Sequence, residues 1–352
     1  MEWLAERHAF SETKGCVRAL VDAGITKLPP MFIDPKAKFV DPRPRNLTVP
    51  VLDLKHINTD AVPRAKAVEQ VREACEKFGF FQLVNHGIPV GVMDKMLDRV
   101  RQFNEQDSEA KNKFYSRDKT RPFAFCSNFG LFSRSVVDWK DSVHAIMAPN
   151  PTNPEQYPVI CRHIMTEYAS YVMKLGISLL ELFSEALGLQ KNYLEEMNCA
   201  KGLVLMGHYS PKCPEPDLTL CNSCIKMFVQ LQTSLDYKRD KLYKDVRSAA
   251  LISNDKFKSI KHRVLANRNS KARISVACFF RTYGQDGTRK YGPIKELISV
   301  ENPPVYREMT MEEFYKSGNE YKVDALSLCS IVELTGATLA KCIQEFTKIN
   351  LV

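Results

Sequence analysis

Along 63–78 the apolar residues Ala67, Val71, Ala74 and Phe78 recur at helical spacing and mark one stripe of an amphipathic helix. Asp60 or Thr59 can cap it, and Pro63 suits its first turn. The apolar run at 79–84 predicts a strand, 85–89 (Asn-His-Gly-Ile-Pro) a turn, and 90–109 a second helix. The longest helical pattern covers 162–188, where Tyr171, Leu175, Leu179, Leu182 and Leu187 form a stripe suited to backing a sheet. Strands are further predicted at 48–54, entered at Pro50 and so near a sheet edge, at 202–209, and at 273–280. Residues 1–47 are charged and proline-punctuated, with one helix over 13–23. Residues 221–250 lack strand alternation and, with Lys238-Arg239-Asp240-Lys241, read as a solvated helix or loop. From about Cys329 the apolar residues suit a helix to which no function is assigned.

Composition narrows the class. A length of 352 residues calls for one large core with helical additions or two closely packed parts. The net charge of +9 is spread among acidic residues, as with Arg99 and Arg101 beside Asp98 and Glu105, so no nucleic-acid partner is expected. No apolar run approaches the ~18 residues of a membrane span. Residues 1–10 are charged and lack a signal-peptide core. The odd number of cysteines, 11, fits reduced thiols in the cytoplasm. The expectation is a cytoplasmic monomer acting on a small molecule.

Candidate chemistry begins at Arg273-Ile274-Ser275. On a strand, Arg273, Ser275 and Ala277 share one face, and Ile274, Val276 and Cys278 share the other. A guanidinium beside a hydroxyl on an inner face needs an anionic partner. A bound carboxylate satisfies both groups, and so does an internal ion pair with Asp or Glu. His262 lies eleven residues upstream, and a metal-binding histidine followed by a carboxylate anchor has a chemical purpose. Cys221-x-x-Cys224, with His208 and Cys213 nearby, is a weak thiolate motif because no second pair accompanies it. His86 reads as part of its turn, and His144 and His163 read as structural histidines.

Longer strings decide among these readings. AFSETKGCVRALVDAG (9–24), GFFQLVNHGIP (79–89), CAKGLVLMGHYSPKCPEPDLTL (199–220), LISNDKFKSIKHRVLANR (251–268) and RISVACFF (273–280) resemble the plant iron(II)/2-oxoglutarate-dependent dioxygenases, most of all the 1-aminocyclopropane-1-carboxylate oxidase homologues. The resemblance implies an α+β fold: a double-stranded β-helix (jelly-roll) core behind a mostly helical N-terminal region. It divides the chain into an extension at 1–47, an N-terminal dioxygenase region at 48–160, the long helix with the jelly roll at 161–315, and a tail at 316–352. It implies that His262 binds Fe(II) and that Arg273 and Ser275 hold 2-oxoglutarate, with ascorbate as reductant. The reaction it implies is hydroxylation or desaturation of a small plant metabolite, with release of succinate and carbon dioxide.

The chain departs from this pattern after Leu220. Where the resemblance places the His-x-Asp ligands stand Ile225 and Met227; one has no donor atom and the other offers a soft thioether. The segment to His262 is also shortened, so the core is expected to be disrupted over 221–250. Ser210 stands where relatives usually carry tyrosine. Impaired activity is the expectation, the alternatives being a non-catalytic binding protein or the product of a defective or mis-joined gene.

Overall fold

In the computed structural model the described residues are 2–35, 49–134, 136–149, 153–222, 230–233, 242–245, 247–258, 264–282, 288–310 and 313. The helices are α1 (Glu2–Glu12), α2 (Val17–Asp22), α3 (Ala61–Lys77), α4 (Val90–Glu105), α5 (Ser108–Asn112), α6 (Val159–Ala186), α7 (Tyr193–Glu196) and α8 (Arg247–Ile252). The strands are β1 (Val51–Asp53), β2 (Phe80–Val84), β3 (Phe123–Ser127), β4 (Asp141–Ala148), β5 (Gly202–Ser210), β6 (Leu220–Asn222), β7 (Gln230–Thr233), β8 (Leu242–Asp245), β9 (Val264–Leu265), β10 (Arg273–Arg281), β11 (Lys290–Tyr291) and β12 (Met309–Thr310).

One sheet of eight strands, in the order β1-β2-β8-β7-β10-β5-β4-β3, forms the frame. β1 lies at its edge, as Pro50 predicts. The helix at 63–78 is α3; Asp60 is its cap, accepting the Val62 N–H at 2.9 Å. Gly79 ends it with φ +64, and its N–H reaches the Ala74 carbonyl at 2.9 Å before β2 begins. α6 spans 28 residues and buries Leu175, Leu179 and Leu182 as the stripe requires.

Three expectations are corrected. The helix expected over 13–23 shortens to α2 at 17–22, because Lys14 adopts φ +50 and Gly15 runs so close to Phe10 that a Cβ would sit 2.6 Å from its ring; α1, which precedes it, was not expected. The helix at 90–109 stops at Glu105 and restarts at Ser108, because Gln106 and Asp107 are extended (ψ 164 and 150). The largest correction concerns 221–250, expected to be a solvated helix or loop. Its described residues include β7 and β8, which enter the main sheet: β7 pairs with β10, and β8 pairs with β2. Ladder pairing to strands distant in sequence overrides the weak local pattern there.

The chain divides into two compact units, Met1–Ala250 with Lys256–Gln285, and Leu251–Asp255 with Asp286–Val352. In the smaller, β11 pairs with β12, Leu251, Tyr306 and Met309 cluster, and Tyr306 donates to Asp255 at 2.6 Å. In the larger, β6 pairs with β9, and the N-terminal segment is bound into a core of Val17, Phe32 and Trp139. Buried Asp141 accepts the Val17 and Arg18 N–H groups at 2.7 and 2.8 Å, which anchors the start of α2.

Candidate functional site

The ladder places the candidate residues side by side. Ser275 on β10 lies opposite His208 on β5, and His208 lies opposite Ser142 on β4. Arg273 lies opposite Ser210, and Ala277 lies opposite Met206, which in turn faces His144. Directly opposed residues share a face. One face of the sheet therefore carries Arg273, Ser275, His208, Ser142 and His144, with Ile146, Val204, Ala277 and Phe279 as an apolar floor. Arg273, Ser275, Met206 and Arg281 on this face are half-buried, so the face keeps contact with solvent.

The other face is dry. Phe280 lies against Gly176 of α6, where a Cβ would come within 2.1 Å of the ring, and Val100 of α4 covers Gly207. The Arg-x-Ser alternation thus puts both polar groups on the open face and Ile274, Val276 and Cys278 in the core, as the sequence predicts.

Electrostatics on the open face favour an anion. Among the described residues, Arg273 has neither a hydrogen bond nor an ion pair, so the internal ion pair left open by the sequence is not made there. His208 hydrogen-bonds through Nδ1 to Ser142 Oγ at 2.9 Å. Burial, then Lys140, Arg273 and Arg134, lowers its pKa well below the usual histidine range, so it is neutral. Lys140 and Arg134 are themselves paired to Asp138 at 3.5 and 2.9 Å. Ser210 is buried, and its carbonyl accepts from Asn267 Nδ2 at 3.0 Å.

Other candidates separate cleanly. His86 Nδ1 accepts the Ile88 N–H at 3.2 Å and holds its turn. His163 is exposed, with Glu167 3.9 Å away. Cys213 is buried in the Val17–Trp139 cluster. His262, Ile225, Met227 and Cys224 lie outside the described residues, as does the tail from 314 onwards.

His144 departs from the structural reading. It is buried, yet neither ring nitrogen has a hydrogen-bond partner. An unpaired buried polar group costs about 1–3 kcal/mol. Burial, then Arg281 and Lys119, pushes its pKa down to about 4. The signal was present in the sequence, since Ser142, His144 and Ile146 alternate as Arg273 and Ser275 do, but nothing local shows that its nitrogens go unpaired.

The comparisons agree with this frame. Residues 49–166 match the non-haem dioxygenase N-terminal family named for morphine synthesis, and residues 201–282 match the 2OG-Fe(II) oxygenase superfamily. The chain belongs to the 2OG-Fe(II) oxygenase superfamily. It is 46% identical over 330 residues to 1-aminocyclopropane-1-carboxylate oxidase homolog 1 of Arabidopsis thaliana, covering 88% of this chain and 90% of that protein. It is 44% identical over 349 residues to deacetoxyvindoline 4-hydroxylase of Catharanthus roseus, covering 89% and 85%. Among solved structures, JOX2 in complex with 2OG, Fe and JA matches with a TM-score of 0.75 at 24% identity, covering 90% of this chain and 98% of that one. A rice dioxygenase for auxin oxidation matches with a TM-score of 0.64 at 16% identity, covering 80% and 99%.

The family's Fe(II) and 2-oxoglutarate fit this chain unequally. Arg273, unpaired among the described residues, with the Ser275 hydroxyl suits a carboxylate. Among the described residues, no group of three His, Cys, Asp or Glu side chains is arranged to hold a metal.

Proposed function

We propose that this chain binds 2-oxoglutarate in a double-stranded β-helix core, accepts a small plant metabolite beside it, and turns over poorly because its iron-binding half is defective. The observation that carries the binding half is Arg273, without a side-chain partner among the described residues, sharing one open sheet face with Ser275. Arg273 would hold the distal carboxylate of the 2-oxo acid as a cation with several N–H donors, and Ser275 would add its hydroxyl. His208, neutral and fixed by Ser142, adds no charge of its own next to that anchor.

The defective half rests on sequence. In this family, iron(II) held by two histidines and a carboxylate supplies the oxidising power. Here Ile225 and Met227 replace two of those three ligands. Loss of a residue that merely orients a ligand costs ~10–100-fold in metal affinity, so loss of two ligands costs more.

Thermal melting with and without 2-oxoglutarate tests the binding half. A ligand at a hundred times its Kd stabilises by about 2.7 kcal/mol, which raises a cooperative melt. The wild-type chain is expected to show that rise and Arg273→Gln to lose it. A wild-type melt unmoved by saturating 2-oxoglutarate contradicts the proposal.

A further inference from the structure

We infer that His144, Lys119 and Arg281 form a second anion subsite on the open face, which grips an acidic group on the organic substrate while the apolar floor takes its body. This rests on the reading of that face as the ligand site and adds the substrate class: a carboxylate-bearing molecule with an apolar body.

Three observations converge. The first is the pair of unpartnered ring nitrogens on buried His144. A neutral imidazole carries one N–H donor and one acceptor, and the register places it beside Met206 and Ala277 on the same face as Ser275. The Phe129 ring lies 5.7 Å from it, centroid to centroid, which fixes the imidazole from one side.

The second is uncompensated positive charge. Arg281 lies eight residues beyond Arg273 on the same strand and hence on the same face, roughly 26 Å away along β10. Two cations so far apart cannot grip the same small diacid, so the second needs its own anion. Among the described residues, neither Arg281 nor Lys119 makes a hydrogen bond or ion pair. Lys119 is exposed, and partial desolvation with the positive charge of Arg281 and Arg134 lowers its pKa. Asp118 is the acidic group nearby, and it is tied to Thr120 through both the backbone N–H at 2.8 Å and the hydroxyl at 2.7 Å.

The third is the floor between the two cationic ends. Ile146, Val204, Ala277 and Phe279 form a continuous apolar cluster with Met206 packed on it. A substrate with its acid held from the Arg281 and Lys119 end would lie across this floor, pass His144 and point its other end towards Ser275, Arg273 and the co-substrate. The site therefore selects by charge at one end and by shape along its length.

Isothermal titration of the full chain, saturated with 2-oxoglutarate, tests this with 4-phenylbutyrate and its neutral amide, 4-phenylbutanamide. The acid is expected to bind at least about tenfold more tightly than the amide, the effect of one charge-assisted contact. Lys119→Gln and Arg281→Gln, both at solvent-contacting positions, should bring the acid-to-amide ratio towards one. His144→Asn should weaken both ligands and leave the ratio above one. Equal affinities for acid and amide in the wild-type chain overturn the inference. So do an unchanged ratio in both cation variants and a failure of 4-phenylbutyrate to bind. The 2-oxoglutarate melt is a separate measurement: a wild-type chain that melts higher with 2-oxoglutarate but ignores the acid sinks the subsite alone.

Discussion

The two faces of the same strands are built to opposite rules. On the helix-backed face, β10 presses Phe280 into the gap left by Gly176, and Gly207 lets Val100 approach. On the open face, one residue away along the same strands, Arg273, Arg281 and both nitrogens of His144 lack partners among the described residues. One side gains stability from close packing, and the other gives up stability to keep polar groups available. The period of two along a strand lets a single segment do both.

Substitutions on the two faces should therefore differ in kind. Phe280→Ala empties the helix-backed contact and should cost about 3–5 kcal/mol, read as a large fall in the denaturation midpoint. A cost below about 1 kcal/mol would show that this face is not tightly packed. Next in size is a pH effect from the open face. The His144 pKa is about 4 in the folded chain and 6.5 in the reference state, so only the unfolded chain takes up a proton between those values. Stability is thus full above pH 6.5 and falls as pH drops towards 4, by on the order of 3 kcal/mol from this group. His208 acts in the same direction. Urea titrations from pH 7 to 4.5 should show the loss, and His144→Gln should shallow it. A slope unchanged by that substitution would remove His144 from the account.

Smaller effects sharpen the contrast. Gly176→Ala sets an overpacking cost of about 1–3 kcal/mol against about 1 kcal/mol gained in helix propensity, for a net loss of about 1 kcal/mol. Arg273→Gln should move unliganded stability by no more than about 0.5 kcal/mol while abolishing the shift caused by 2-oxoglutarate. A large loss of unliganded stability would instead make Arg273 a structural residue.

Much of this was legible in the sequence, for physical reasons. α3, β2, α6, β5 and β10 follow from local periodicity and caps, which need no partner to be seen. The shared face of Arg273 and Ser275 follows from alternation alone. β7 and β8 were missed because residues 221–250 carry too little alternation to announce their pairing with each other, and because their outer partners, β10 and β2, are far away in sequence. The late start of α2 was missed because it depends on the left-handed Lys14 and on how closely Gly15 meets Phe10. His144 escaped notice because its unpaired state is a property of three adjacent strands and the loops around them.

The central claim is a co-substrate anchor retained without the ligands that would make iron useful beside it. It is tested most directly by measuring succinate released by the purified chain with iron(II), 2-oxoglutarate and a panel of small plant metabolites. The account predicts little or no iron-dependent succinate above the protein-free control, because Ile225 and Met227 supply no hard donor. Robust iron-dependent release would contradict it.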